Sequence, residues 1–203
     1  WITHFCAPAF FLLAGVGASL SLARGRSLAQ VSRFFLMRGL WLVVLELTLV
    51  SFGWDFTLHV TPWLAGVIWA LGWSMVFMAA LAYLPRGAIA AVGIALIVLH
   101  NMTDAITPAA FGEFGWLWRF LHFPDPHAGM LIRIDYPIIP WVGVMAVGYA
   151  MGPLFRESRE HRQKILVGIG GSAVIGYIGL RWLNSYGDPM PWSVETRGAY
   201  TLL

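Results

Sequence analysis

An uncharged apolar stretch near the start of the chain decides the fold class. Residues 5–23 read FCAPAFFLLAGVGASLSLA. The hydrocarbon core of a bilayer is about 30 Å thick, and a helix of roughly 20 apolar residues crosses it. The stretch therefore predicts a transmembrane helix.

Similar stretches recur along the rest of the chain. Six spans are expected, at residues 5–23, 34–54, 62–84, 87–103, 137–155 and 165–184. A strand left open in lipid cannot satisfy its own N–H and C=O groups, so all six are expected to be helices. The predicted fold class is all-α, a polytopic membrane helix bundle that forms a single transmembrane domain over residues 1–203. Because the sequence starts at Trp1 rather than Met and stops in an apolar stretch, we expect an internal fragment truncated at both ends.

Composition excludes several other classes of protein. Hydrophobic residues make up 59% of the chain and charged residues 11%, whereas about a quarter of an ordinary soluble domain is charged. This excludes a soluble enzyme, and the mean hydropathy of +0.71 excludes a disordered chain or a nucleic-acid-binding surface. The single cysteine, Cys6, excludes a disulfide framework and a cysteine metal cluster.

The charged residues are sorted by side. The connectors 24–33, 85–86 and 156–164 carry eight of the thirteen Lys and Arg residues, and short loops rich in these residues stay in the cytoplasm. Seven of the ten acidic residues and five of the six histidines lie in the segments on the opposite side. Residue 1 is therefore expected on the non-cytoplasmic side.

Residues 104–136 form a connector that is long for a compact domain, which is typical of a binding loop or lid. Within it, residues 114–123 are apolar and aromatic but too few to span a bilayer. They predict a short interfacial helix.

Two charged residues, Glu46 and Arg38, lie inside the second span. An ionised Glu46 is tolerated only if it faces the bundle or a watery cavity, which makes it a functional candidate. The alternative is a protonated or hydrogen-bonded side chain that holds helices together. Arg38 lies near the cytoplasmic face, where it either extends to the surface or meets a phosphate.

Polar residues close the fourth span. His100 and Asp104 are neighbours at i and i+4, and a carboxylate beside an imidazole fixes its tautomer and raises its basicity, as a general base requires. The alternative is a polar helix end that meets lipid headgroups. His122, Asp125 and His127 are of metal-ligand type, but two prolines interrupt them and no metal is expected.

Small residues mark the last two spans. Gly148 and Gly152 are four residues apart, and Gly168, Gly170 and Gly171 cluster in the final span. Small residues let the backbones of two membrane helices approach closely. Close helix packing is expected at both places.

Five ordered blocks of sequence carry a resemblance to a known family. They are residues 4–15 (HFCAPAFFLLAG), residues 38–42 (RGLWL) with Glu46, residues 67–75 (VIWALGWSM), His100-Asn101, and residues 136–145 (YPIIPWVGVM). In these blocks the chain resembles the bacterial relatives of heparan-alpha-glucosaminide N-acetyltransferase. The resemblance implies a multi-helix membrane enzyme that moves an acetyl group from cytosolic acetyl-CoA to the amino group of a terminal glucosamine across the membrane. It also places the family's best-supported catalytic histidine on a helix before Trp1.

The function expected is acetyl transfer from acetyl-CoA to an amino or hydroxyl group of a sugar on the non-cytoplasmic side of a bacterial inner membrane. The candidate residues divide by role: His4, Glu46, His100 and Asp104 for catalysis, Arg33 and Arg38 for CoA phosphates, Asn101 and His59 for the sugar. Expected partners are the sugar acceptor, the lipid bilayer and, as an open alternative, a second copy in a homo-oligomer; nucleic acid is not expected. A solute or proton-coupled transporter subunit is the alternative function, in which Glu46 and the outer histidines relay protons or bind solute.

Overall fold

The computed structural model of the chain describes residues 5–56, 63–122, 132–184 and 186–187. Nearly all of this part is helical, as an all-α membrane bundle requires. In chain order the elements are α1 (Cys6–Ala23), α2 (Leu28–Leu45), a π-helical turn (Glu46–Val50), α3 (Ser51–Asp55), β1 (Trp63–Ala65), α4 (Val67–Leu81), α5 (Arg86–Leu99), 3-10 turns (His100–Thr103 and Pro108–Phe114), α6 (Gly115–Leu121), β2 (Ile132–Ile134), α7 (Ile138–Met151), a 3-10 turn (Gly152–Arg156) and α8 (Arg159–Leu183).

Five helical segments are long and apolar enough to cross a membrane: Cys6–Ala23, Leu28–Trp54, Arg86–Thr103, Ile138–Arg156 and Arg159–Leu183. They correspond to five of the six expected spans, and the protein is an integral membrane helix bundle. The short helix α6 lies within the segment 114–123 that predicted one.

The third expected span is not a continuous helix. Residues 63–65 form β1, and α4 then has 15 residues, which corresponds to about 22 Å at 1.5 Å per residue and is short of a bilayer core. β1 pairs in parallel with β2, with Ala65 opposite Ile134, and both of these residues are buried. Non-helical backbone is tolerated at membrane depth where protein covers and pairs it, which an apolar window cannot reveal.

The second span begins earlier than its apolar window. Ser27 caps α2 in a capping box: its hydroxyl accepts a hydrogen bond from the Gln30 backbone N–H at 3.2 Å, and the Gln30 side chain accepts from the Ser27 N–H at 2.9 Å. Such reciprocal bonds start a helix wherever the Ser-x-x-Gln pattern stands, inside or outside the apolar core. Arg33 therefore lies on α2, where a connector was expected.

The bundle is organised around α7, which packs against α1, α4 and α5, while α2 packs against α4. Glycines set these close contacts. A Cβ on Gly39 would lie 2.5 Å from the Gly72 carbonyl oxygen, and one on Gly93 would lie 2.9 Å from that of Gly143. Neither pair of helices could approach as closely with a larger residue there.

The glycines of the last two spans behave differently from one another. Gly148 and Gly152 contact α1, through Leu12 and Ser19, so close packing is found there. A Cβ on Gly168, Gly170 or Gly171 of α8 would meet no atom of another helix within 4 Å, and no residue of α8 is buried. The close packing expected for α8 is not found among the described residues.

Candidate active site

Glu46 is buried inside the bundle and does not face lipid, since only 2% of it is exposed. It begins the π-helical turn, a feature found frequently at functional sites. Its Oε1 accepts a hydrogen bond of 3.0 Å from the Gly66 backbone N–H. Its Oε2 is buried without a hydrogen-bond partner in the part of the chain that the structure describes. Oε1 thus holds the backbone before α4, whereas no hydrogen bond among the described residues involves Oε2.

Gly66 joins β1 to α4 and is fitted closely to Glu46. A Cβ at Gly66 would lie 2.5 Å from Glu46 Oε1, so a side chain there would displace the carboxylate. Its N–H would otherwise be an unpaired donor at a helix start. The Glu46 carboxylate therefore fixes the beginning of α4, one turn before Trp69.

A second cluster lies where α5 ends and α6 ends. His122 is 5% exposed, and its Nε2 is 2.9 Å from Asp104 Oδ1 and 3.2 Å from Thr103 Oγ1. Asp104 Oδ2 accepts a second hydrogen bond, of 3.0 Å, from Asn101 Nδ2. The loop between the two helix ends therefore folds back so that two residues 18 apart in sequence form an imidazole–carboxylate pair.

The hydrogen bonds assign the tautomer of His122. An ionised carboxylate can only accept, and the Thr103 hydroxyl already donates to the His100 carbonyl oxygen at 2.6 Å. The proton between these groups is therefore on His122 Nε2, which donates to both oxygens. Nδ1 then carries the free lone pair, and it is buried without a partner among the described residues. A neutral imidazole held in this way presents Nδ1 as a base.

His100 is arranged differently from the expectation. Its Nδ1 lies 2.8 Å from the Ile97 carbonyl oxygen, to which it donates, so the carboxylate of Asp104 pairs with His122 instead. The His100 and His122 rings remain in contact, with centroids 6.2 Å apart and planes at 71°. The structure thus places Asn101 and His122 on Asp104, and His100 contacts this group through the His122 ring rather than through the carboxylate.

Aromatic side chains connect this cluster to α4. The rings of Trp69, Trp73 and Phe120 meet edge to face, with centroids 5.1 to 5.8 Å apart. The indole Nε1 groups of Trp69 and Trp73 are buried without a hydrogen-bond partner in the described chain. The Trp118 and His122 ring centroids are 4.8 Å apart. Two N–H donors without a partner in the described chain thus lie on α4, on rings that contact Phe120, two residues before His122.

The arginines expected to bind phosphates are exposed on α2. Arg38 places its guanidinium 5.3 Å from the centre of the Phe34 ring, and Arg26 lies 5.8 Å from the same ring. Arg33 is exposed as well.

His4 and His59 lie outside the described residues, as do Asp125 and His127. Within the described ranges no group of three His, Cys, Asp or Glu side chains could hold a metal ion. From the sequence, His122 is only a weak candidate for a metal ligand, and nothing there connects it with Asp104. The short helix predicted between these two residues is the one feature that could have done so, because its length brings His122 back to the end of α5.

Together these features define a class: an integral membrane protein whose helix bundle buries one carboxylate and carries, at one end, a buried imidazole paired with a partly exposed carboxylate beside aromatic side chains. Compared with known families, residues 1–185 match the family described as "Heparan-alpha-glucosaminide N-acetyltransferase, catalytic". Neither the curated proteins nor the solved structures give a match. The match covers most of the chain, which therefore belongs to this family of membrane acetyltransferases.

Proposed function

We propose that the protein transfers an acetyl group from cytosolic acetyl-CoA to an amino or hydroxyl group of a sugar on the other side of a bacterial inner membrane, with residue 1 on that other side. Family membership supports the acetyl transfer. The observation that most supports the site is the buried His122, whose Nε2 is held by Asp104 and whose Nδ1 has no partner in the described part of the chain.

The chemistry requires one base and no further activation of the donor, because a thioester is already reactive. As the acceptor nitrogen or oxygen attacks the thioester carbonyl carbon, His122 Nδ1 takes the proton of the acceptor. The carbon–sulfur bond then breaks, and CoA leaves with the proton as a free thiol. Asp104 stabilises the imidazolium that forms in between, as a carboxylate does in catalytic triads.

The acceptor site is supported by the aromatic and polar groups near His122. Ligand sites combine aromatic and apolar walls with a few polar groups that fix orientation. Trp69 and Trp73 supply ring edges and N–H donors that have no partner among the described residues, while Asn101 donates to Asp104, the carboxylate that holds His122. We assign Glu46 as a positioning residue, because its Oε1 accepts a hydrogen bond from the Gly66 backbone N–H at the start of α4.

Transfer between two faces is supported by the ends of α5. Arg86 begins this helix and the His100–Thr103 turn follows its last residue, so about 21 Å of helix separates them at 1.5 Å per residue. The histidine cluster and the basic connectors therefore lie toward opposite ends of the bundle. A donor entering from the basic end is consistent with the exposed Arg33 and Arg38, and an acceptor is consistent with the other end.

The test is acetyl transfer by the full-length protein reconstituted in vesicles. Acetyl-CoA is supplied on one side, glucosamine on the other, and release of free CoA thiol and formation of N-acetylglucosamine are both measured. Thiol release that depends on the acceptor supports acetyl transfer. Binding of acetyl-CoA without any acetylated product from amine or hydroxyl sugars would refute it.

A further inference from the structure

A cleft of about 240 Å³ lies at the end of the bundle opposite the histidine cluster. It is formed where the last turns of α1, the start of α5 and the 3-10 turn after α7 meet. Its lining residues are Ser19, Leu20, Leu22, Ala23, Arg86, Gly152, Pro153 and Arg156. The volume corresponds to roughly eight water molecules at about 30 Å³ each, which is enough for a small anionic group and part of what carries it.

The cleft has a one-sided charge. Of the described residues that line it, Arg86 and Arg156 are the charged ones, and none is a carboxylate. Among the described residues, neither arginine forms an ion pair with an acidic side chain. Ser19 adds a hydroxyl, and the remaining walls are apolar.

A glycine allows α1 and the turn after α7 to approach closely at this cleft. Gly152 lies against Ser19, and a Cβ there would collide with the Ser19 side chain. The glycine therefore keeps Ser19 and the turn carrying Arg156 together. Three separate segments thus converge on one space that holds two positive charges.

We infer that this cleft binds a phosphate group, held between the guanidinium groups of Arg86 and Arg156. Guanidinium presents paired N–H donors that match the oxygens of a phosphate, and two arginines supply the charge that a phosphate monoester or diester needs. The site differs from the one expected on Arg33 and Arg38, which belong to α2 and are not among the residues that line this cleft.

Two sources can supply this chemistry: the phosphates of CoA and the phosphate of an anionic lipid headgroup. CoA is a source only through the proposed function, on which that alternative rests. The lipid alternative does not depend on enzyme activity. It requires only that the cleft lies at the end of membrane-spanning helices, at the level of the lipid headgroups.

The experiment uses the full-length protein in detergent and three single variants. Arg86→Gln and Arg156→Gln remove one charge each, and Arg159→Gln, an exposed arginine on α8 outside the cleft, is the matched control.

One arm measures the dissociation constants of CoA and of dephospho-CoA, which lacks the 3′-phosphate, by calorimetry. The other arm measures retention of phosphatidylglycerol against diacylglycerol by native mass spectrometry. An Arg156→Lys variant, which keeps the charge, is added, and apparent melting temperatures check that each variant is folded.

Loss of a charged hydrogen-bonding partner is expected to weaken binding of the phosphate-bearing probe roughly ten- to a hundredfold in each glutamine variant. The lysine variant is expected between these and the wild type, and Arg159→Gln is expected to bind as the wild type does. Weaker binding of CoA identifies the donor's phosphate as the ligand, and loss of phosphatidylglycerol alone identifies a headgroup; both support the phosphate site. Folded glutamine variants that bind both probes like the wild type would overturn it.

These outcomes are separate from those of the acetyl-transfer test. A protein that binds through Arg86 and Arg156 but acetylates no sugar refutes the proposed function and keeps the phosphate site. A protein that acetylates sugars with unchanged CoA affinity and unchanged lipid retention in both glutamine variants refutes the phosphate site alone.

Discussion

Replacing Asp104 by Asn changes the protonation of His122 with little change in shape. Asp104 accepts two hydrogen bonds, one from His122 Nε2 at 2.9 Å and one from Asn101 Nδ2 at 3.0 Å. An asparagine has one accepting oxygen and one donating nitrogen, so it cannot accept both. If its nitrogen faces His122, the imidazole proton moves to Nδ1 and the base is lost. If its nitrogen faces Asn101, that amide must turn over and the developing imidazolium loses a negative partner.

Either arrangement removes most of the base catalysis expected of His122. General base catalysis contributes about 10²- to 10⁴-fold, so kcat/KM of Asp104→Asn is expected to fall by about that factor. At about 1.36 kcal/mol per factor of ten, this corresponds to roughly 2.7 to 5.4 kcal/mol of transition-state stabilisation. The assay is acceptor-dependent release of free CoA thiol by the reconstituted full-length protein.

The matched control is Asp135→Asn. Asp135 pairs with Arg133 at 3.0 Å at an exposed position, and such surface pairs contribute about 0 to 1 kcal/mol. This variant is expected to keep wild-type activity. An Asp104→Asn protein with a wild-type melting temperature and activity within about twofold of wild type would refute the assignment of His122 as a base held by Asp104.

Two predictions concern stability and use the apparent melting temperature in detergent. Glu46→Ala leaves the Gly66 N–H unpaired and is expected to lower the free energy of unfolding by about 1–3 kcal/mol. For a chain of this size, each kcal/mol lowers the melting temperature by about 2–4 °C. Glu46→Gln keeps an accepting oxygen and is expected to melt close to wild type. Equal losses in the two variants would show that the bond to Gly66 is not what Glu46 contributes. Gly72→Ala places a Cβ 2.7 Å from the Gly39 carbonyl oxygen and is expected to cost about 1–3 kcal/mol by overpacking. Gly17→Ala, where the space is open, is expected to leave the protein as stable or more so; similar melting temperatures for these two glycine variants would contradict the close α2–α4 contact.

The membrane bundle could be predicted from the sequence because uncharged apolar stretches of this length leave the backbone no alternative to a helix. The same reasoning was wrong for the start of the third span. Residues 63–65 are as apolar as α4, and only their pairing with Ile132–Ile134, almost 70 residues later, makes them a strand. The apolar content of a segment indicates whether it is buried, but it does not indicate which partner forms hydrogen bonds with its backbone.

The candidate site could be predicted in part. The burial of Glu46 follows from the high cost of a charge facing lipid. Local spacing predicted that His100 pairs with Asp104, whereas the imidazole beside Asp104 belongs to His122 at the end of α6. Local periodicity carries no information about a contact across a loop. The convergence of Arg86 and Arg156 in one cleft likewise depends on how α5 and α7 pack.

The most direct test of the central claim is acetyl transfer by the His122→Gln variant of the full-length protein. Glutamine places its Nε2 where the imidazole Nε2 lies, so it can still donate to Asp104, but it has no counterpart to Nδ1. We predict a folded protein with unchanged CoA affinity and a kcat lower by about 10²- to 10⁴-fold. A folded His122→Gln protein that acetylates glucosamine at the wild-type rate would contradict the claim that His122 Nδ1 takes the acceptor proton.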